Sequence, residues 1–198
     1  MVARPGHPGQ LALAKAYQEA VQQGRLESYR RRRWQKSREH ASWLAPSALP
    51  DLTLGQALAL YRASGGSRPQ EFRANSIEDI RDSLDFLLYD TIKLEGRFDE
   101  CVSPEGAYRL AGAGKEMVSY LLCLRDPTLF GVWNASAERA LRALGLYKET
   151  LRRGHWGLRY LDLLEALESL RLRFGLDDFQ SVDQFAGWVA KLPRSSGL

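Results

Sequence analysis

From Ser76 to Asp90 the apolar residues Ile77, Ile80, Leu84, Leu87 and Leu88 recur at helical spacing, with mostly acidic and other polar residues between them. That spacing draws one apolar stripe along a helix and none along a strand, so the segment is stable only as an amphipathic helix pressed against other elements. Ser76 stands where a helix cap belongs. Similar patterns recur along the chain. Leu11, Leu13, Tyr17, Ala20 and Val21 predict a helix interrupted at Gly24. Thr53 to Gln56 has the capping-box form ahead of Leu58, Leu60 and Tyr61, with Gly65 and Gly66 closing the segment. A short helix is predicted around Leu94, Phe98 and Cys101, and a buried one through Met117, Val118, Leu121, Leu122 and Leu124, ending at Asp126 and Pro127. Asn134 is placed to cap ASAERALRALG, which Gly145 stops. Leu161, Leu164, Leu167 and Phe174 predict a long helix running to Gly175, and Ser181 to Gln184 gives another capping box before Phe185, Trp188 and Val189. Strand-type alternation is nearly absent. The expected fold is all-α: a multi-helix globular domain over 51–192 with a hairpin motif at 108–125, an N-terminal basic helical extension over 1–50 and a flexible tail at 193–198.

A chain of 198 residues can bury a core as one compact domain with an extension, and 44% apolar with 26% charged residues excludes wholesale disorder. Cys101 and Cys123 are too few for a disulfide framework and read as small core residues; with His7, His40 and His155 scattered, neither a metal nor a cofactor is expected. Asp177, Asp178 and Asp183 read as helix-start acids rather than metal ligands, and Trp133, Trp156 and Trp188 as packing anchors. The opening MVARPGHPGQ has no signal-like apolar run and no window reaches membrane-spanning length, so the expectation is a soluble, reduced, cytoplasmic protein that does not engage a membrane.

The net charge of +4 matters only because it is concentrated. In RLESYRRRRWQKSREH, the cations Arg25, Arg30, Arg31, Arg32, Arg33, Lys36 and Arg38 face only Glu27 and Glu39. Leu26, Tyr29 and Trp34 can anchor one side of a helix while the basic side chains point outward, and LAPSALPD ends it, because Pro46 and Pro50 cannot sit in a helix interior. Two readings stay open for this run. It is either a solvated face or a phosphate-contacting one, with Tyr29 and Trp34 available to stack on bases. Arg152, Arg153, His155 and Trp156 form a second basic and aromatic cluster in a loop or broken helix, where His155 has no identifiable activating partner.

Residues 108–115 read YRLAGAGK. A nucleoside-triphosphate phosphate loop needs four residues between its glycines and a Ser or Thr after the lysine; here Gly112 and Gly114 enclose only Ala113, and Lys115 precedes Glu116. A dinucleotide fingerprint needs a preceding strand and a third glycine where Met117 stands. What remains is a tight turn between helices. It is either a plain connection or a turn whose free amides and Lys115 hold a phosphate oxygen.

This turn resembles the helix-hairpin-helix motif of DNA repair and recombination proteins. The likeness extends over about 108–146 to the helix-hairpin-helix DNA glycosylases, through PTLFGVWNASAERALRALGL, with Pro127, Phe130, Val132 and the Arg139 to Gly145 helix end fitting their layout. The resemblance implies an aspartate where Asn134 stands and, in bifunctional members, a lysine nucleophile where Glu116 stands, so the scaffold is similar while the chemistry is missing. From about 77 to 190 the chain also resembles helical domains that accompany modified-cytosine restriction ATPases and related anti-phage systems, in IEDIRDSLDFLLYD, LFGVWNASAERALRALGL and YLDLLEALESLRLRFGLDDFQSVDQFAGWVA. That implies an accessory or specificity module whose ATPase or nuclease partner lies elsewhere. The expectation is a non-catalytic DNA-binding module. Its phosphate contacts would come from Gly112, Gly114 and Lys115, from Arg30, Arg31, Arg32 and Arg33, and from Arg139 and Arg142. A protein-interaction adaptor is the alternative, and a divergent glycosylase-like enzyme the third.

Overall fold

Helices follow one another along the chain in the computed structural model, which describes residues 8–147 and 155–192. Among the described residues there are eleven α-helices and a 3-10 turn at Leu49–Asp51, with no strand. The helices are α1 (Pro8–Gln22), α2 (Glu27–Arg33), α3 (Ser37–Trp43), α4 (Leu54–Ala63), α5 (Pro69–Arg73), α6 (Ile77–Tyr89), α7 (Leu94–Val102), α8 (Lys115–Arg125), α9 (Ala135–Ala143), α10 (Trp156–Phe174) and α11 (Phe179–Val189). The expected all-α class is the observed one.

Local chemistry accounts for several of the helix starts. At α4 the Gln56 amide donates to Thr53 Oγ1 at 3.3 Å while the Thr53 amide donates to Gln56 Oε1 at 2.8 Å, which closes the capping box. The Ser76 hydroxyl accepts from the Asp79 amide, and the Asn134 side chain accepts from the Ala137 amide. Each satisfies a donor that a helix leaves without an internal partner.

The core forms around α8, whose residues from Met117 to Leu124 are all buried. A helix covered on every side belongs inside a core, and here α3, α6 and α7 pack against it. Each fully buried leucine on it stabilises the fold by about 1.5–3 kcal/mol relative to exposure. Ser119, a polar residue on this helix, donates to the Lys115 carbonyl at 2.6 Å and accepts from the Trp133 amide at 2.8 Å. α10 runs along α7, where Tyr160 stacks on Phe98 with centroids 4.2 Å apart and Phe98 lies 6.1 Å from Trp133. α11 then packs on α9, α10 and α2.

Several sequence expectations are corrected by this packing. The basic segment is not one helix: it breaks between α2 and α3 around Trp34–Lys36. Nor does it stand apart, since Leu13, Trp34, Leu44 and Leu49 belong to the same core cluster as Leu121 and Phe185. α10 buries Tyr160, Leu163, Leu167 and Leu170, whereas Leu161, Leu164 and Phe174 are only half-buried, because α7 and α11 cover a face turned from the expected one. The box at Ser181 to Gln184 does not start α11; Asp178 caps it by accepting from the Ser181 amide at 2.7 Å. The expected tail at 193–198 lies outside the described residues, as do Arg152 and Arg153.

Candidate nucleic-acid interface and the arginine buried beneath it

The four arginines of α2 do not share one environment. Leu26, Tyr29 and Arg33 fall on one side of the helix, three and four residues apart, so Arg33 is carried into the core while Arg30, Arg31 and Arg32 remain exposed. The expectation that all four point outward is therefore corrected at Arg33, which is 4% exposed. Its Nη1 donates to the Ser64 carbonyl at 2.8 Å and to Glu116 Oε1 at 3.2 Å. Its Nε lies 2.9 Å from Asp183 Oδ2, an ion pair without hydrogen-bond alignment, and its Nη2 has no hydrogen-bond partner. The Tyr120 ring lies 5.2 Å from the guanidinium, and the Tyr120 hydroxyl donates to the Arg33 carbonyl at 2.8 Å.

Asp183 is the counterpart of this arginine and is 3% exposed. Its Oδ2 accepts from Tyr29 Oη and from Trp34 Nε1, both at 2.8 Å, and its Oδ1 accepts from Asn134 Nδ2 at 2.8 Å. These three donors satisfy both oxygens of the buried carboxylate, and the guanidinium beside it supplies the opposite charge. Burial disfavours the charge on Arg33, yet Asp183 and Glu116 outweigh that and hold the guanidinium above its ordinary value. Burial also pushes the Glu116 carboxyl up, with Arg33 opposing. Asp183 was read from sequence as a helix-start acid; with α11 beginning at Phe179 it sits a turn further in, next to buried Val182. The legible signal was an acid on an apolar face.

The glycine turn has a different role from Arg33. α7 ends at Val102, and residues 103–114 form an irregular connection rather than a helix running up to the glycines. Gly112 has φ of +75°, and a Cβ there would stand 2.7 Å from the Phe72 amide nitrogen and 2.9 Å from the Arg68 carbonyl oxygen. Its own carbonyl accepts from the Tyr61 hydroxyl at 3.0 Å. Gly112 thus lets the turn lie against α5. Gly114 is extended, with φ of −163°, and open space surrounds its missing side chain, so it has no such constraint. Lys115 points to α9: its Nζ lies 2.6 Å from Glu138 Oε1 and 4.4 Å from the Trp133 ring centroid.

Glu138 also accepts from Trp133 Nε1 at 2.7 Å and pairs with Arg142 at 3.3 Å, while Arg142 lies over Tyr147. Burial pushes the Glu138 carboxyl up, but the bonds from Lys115 and Trp133 prevail and hold it below its ordinary value. Lys115 and Arg142 are therefore tied to one carboxylate, whereas Arg30, Arg31, Arg32, Arg62 and Arg139 pair with no carboxylate among the described residues. Arg139 is exposed and its Nε reaches the Ala135 carbonyl at 3.3 Å.

Arg32 and Arg33 meet Arg62, Glu116, Asn134 and Ser136 around a cleft of about 500 Å³. Arg62, from the last turn of α4, was not singled out by the sequence, which offers no signal joining it to α2. Gly65 has φ of +94°, and a Cβ there would stand 2.8 Å from Glu116 Oε1, so this glycine admits the carboxylate to Arg33. Arg30 faces the other side of α2, on a groove of about 610 Å³ bordered also by Tyr17, Trp34 and Asp178.

Two positions where the glycosylase resemblance implies catalytic groups are occupied by structural ones: Asn134 caps α9 and binds Asp183, and Glu116 pairs with Arg33. No group of His, Cys, Asp or Glu side chains among the described residues is arranged to hold a metal ion. Burial pushes the Cys101 thiol up to about 12, as for an unreactive core cysteine. No described helix is long and apolar enough to cross a membrane. Comparison with protein-family models, with curated proteins and with solved structures finds no match to this chain.

Proposed function

We propose that this chain is a non-catalytic DNA-binding module that holds the phosphate backbone through the exposed arginines of α2, as an accessory part of a restriction or anti-phage assembly whose ATPase or nuclease is a separate partner. The observation that carries the reading is that Arg30, Arg31 and Arg32 are exposed on one short helix without a carboxylate partner among the described residues, and Arg62 is exposed beside Arg32. Arginine forks without internal partners suit phosphate oxygens, which carry no sequence information and give salt-sensitive affinity. In this reading Arg33 supports that surface from below, and the exposed arginines make the backbone contacts. In this arrangement Gly112, Gly114 and Lys115 contribute by setting the start of α8, and Lys115 is a weaker phosphate contact than the arginines because Glu138 already holds it.

Fluorescence anisotropy of labelled single- and double-stranded DNA over a range of salt tests the reading. Replacing Arg30, Arg31 and Arg32 together with Gln should weaken binding across sequences and lower the salt slope by roughly 3, while Lys115→Ala has a smaller effect. Equal affinity and slope in the triple variant and the parent chain would refute the phosphate contact. A protein-adaptor reading has its own observation: Leu11 and Leu172 are exposed beside the Gln10 to Arg173 hydrogen bond that joins α1 to α10. It predicts a defined complex that survives loss of the arginines.

A further inference from the structure

The cleft between α2, the end of α4 and the starts of α8 and α9 carries more than a surface charge. Its walls hold three guanidiniums, Arg32, Arg33 and Arg62, against one carboxylate, Glu116. Arg33 is more than nine-tenths buried there and its Nη2 has no hydrogen-bond partner. A buried donor without an acceptor is a rare feature; Nη2 is itself out of contact with solvent, so an anion meets it only as the guanidinium turns toward the cleft on release of Glu116. On the facing wall α9 begins, nine residues long, with Asn134 capping only the Ala137 amide, so the amides of Ala135 and Ser136 have no acceptor within the helix. A helix start of this kind favours negative charge, and the Ser136 side chain adds a hydroxyl donor. The Glu116 bond to Arg33, at 3.2 Å, is long for a charge-assisted pair, so a stronger anion can replace it.

We propose that this cleft binds a phosphate monoester of nucleotide size, its phosphoryl group seated between the α9 amides of Ala135 and Ser136 and the guanidiniums of Arg33, Arg32 and Arg62. Arg32 and Arg62, which pair with no carboxylate among the described residues, attract a doubly charged terminal phosphate more strongly than a singly charged backbone diester, and a cleft of about 500 Å³ has room for the attached nucleoside. The site shares Arg32 and Arg62 with the backbone-binding reading, but neither Arg30 nor Arg31 lines it, so either can fail without the other. Two sources carry this chemistry: a free nucleotide and the phosphorylated end of a DNA strand.

Isothermal titration calorimetry with the full chain tests the site, using deoxyadenosine 5′-monophosphate, deoxyadenosine, and a short oligonucleotide with or without a 5′-phosphate. The monophosphate is expected to bind and the nucleoside not. Arg62→Gln should weaken the monophosphate about tenfold, the loss of one charge-assisted contact. Ala135→Pro should weaken it severalfold while leaving the helix content by circular dichroism unchanged. Proline is tolerated at the first helical position and removes one of the seated amides, and Asn134 before it is already extended. Tighter binding of the 5′-phosphorylated oligonucleotide than of its hydroxyl form identifies the strand end as the source; equal binding of the two, with the monophosphate still bound, identifies the free nucleotide. Absence of monophosphate binding, or binding that neither variant changes, would overturn the proposal. Monophosphate binding without any duplex binding would leave the cleft standing and remove the backbone reading instead.

Discussion

Arg33 and Lys115 are both cations held against a carboxylate and aromatic rings, but the first keeps only 4% of its side chain in contact with solvent and the second 31%. Arg33 joins segments from α2, α4, α8 and α11, whereas the Lys115 and Glu138 pair joins only the first turns of α8 and α9. The contrast shows what burial does to the same kind of contact. A desolvated ion cannot fall back on water, so its partners become part of the fold; a lightly covered one can, so its partner adjusts position and little more.

The largest expected effect follows at Asp183. Asp183→Ala leaves Arg33 uncompensated and strips the acceptor from Tyr29, Trp34 and Asn134, which should cost about 3–5 kcal/mol, read as a lower urea midpoint. Pairing it with Arg33→Met should recover part of that loss, and a double variant whose cost is the simple sum of the two singles would contradict the coupling. Next comes the turn: Gly112→Ala should cost about 2 kcal/mol or more through strain and a clash with α5, while Gly114→Ala should stay within roughly 0.5 kcal/mol of the parent chain. Equal costs at the two glycines would break the distinction between them.

The two glutamates sharpen the comparison through pH. Glu138 has a folded pKa below its unfolded value, so its contribution is present above the ordinary carboxylate value of 4.5 and is lost as pH falls through the folded pKa. Glu138→Gln should therefore destabilise by about 0.5–1 kcal/mol at neutral pH and progressively less under acid, measured by denaturant titration at several pH values. Glu116 has the opposite sign. Its folded pKa is raised, so ionisation costs stability at neutral pH and the cost disappears as pH drops. Glu116→Gln should raise the neutral-pH midpoint, with the gain vanishing in acid; the same pH trend for both glutamine variants would show the assignment to be mistaken. The smallest effects belong to Arg31→Gln and Arg32→Gln, which should change stability by no more than about 0.5 kcal/mol each, in contrast to their neighbour Arg33.

Several helix starts were legible because their signals lie within four residues of one another. Thr53 with Gln56, Ser76 with Asp79, and Asn134 with Ala137 each close a hydrogen bond inside one turn. The apolar stripe of α6 was equally plain, with Ile80, Leu84 and Leu87 buried as expected. Ser181 and Gln184 misled because a helix already begun at Phe179 has the same local pattern one turn in, and Asp178 was the better-placed acceptor. The α10 face was misjudged for another reason: a leucine-rich helix offers more than one apolar stripe, and only its neighbours choose among them.

The candidate site was half legible. Arg30, Arg31 and Arg32 are exposed as the basic composition of the segment suggests, whereas Arg33, expected to point outward with them, is buried. Nothing local announces Arg62 or the cleft, and the acid on the apolar face of α11 does not by itself name Arg33 as its partner.

The sequence by itself determined that this chain is helical, where several of its helices begin, and that its positive charge gathers near α2, because propensity, capping and apolar periodicity act over one or two turns. Only the tertiary structure decided which arginine is buried, that Lys115 faces Glu138, and that a cleft lined by arginine opens at the start of α9. Arg33 meets Glu116 at a separation of 83 residues and Tyr29 meets Asp183 at 154, and contacts that distant along the chain exist only once packed helices have excluded water from between them.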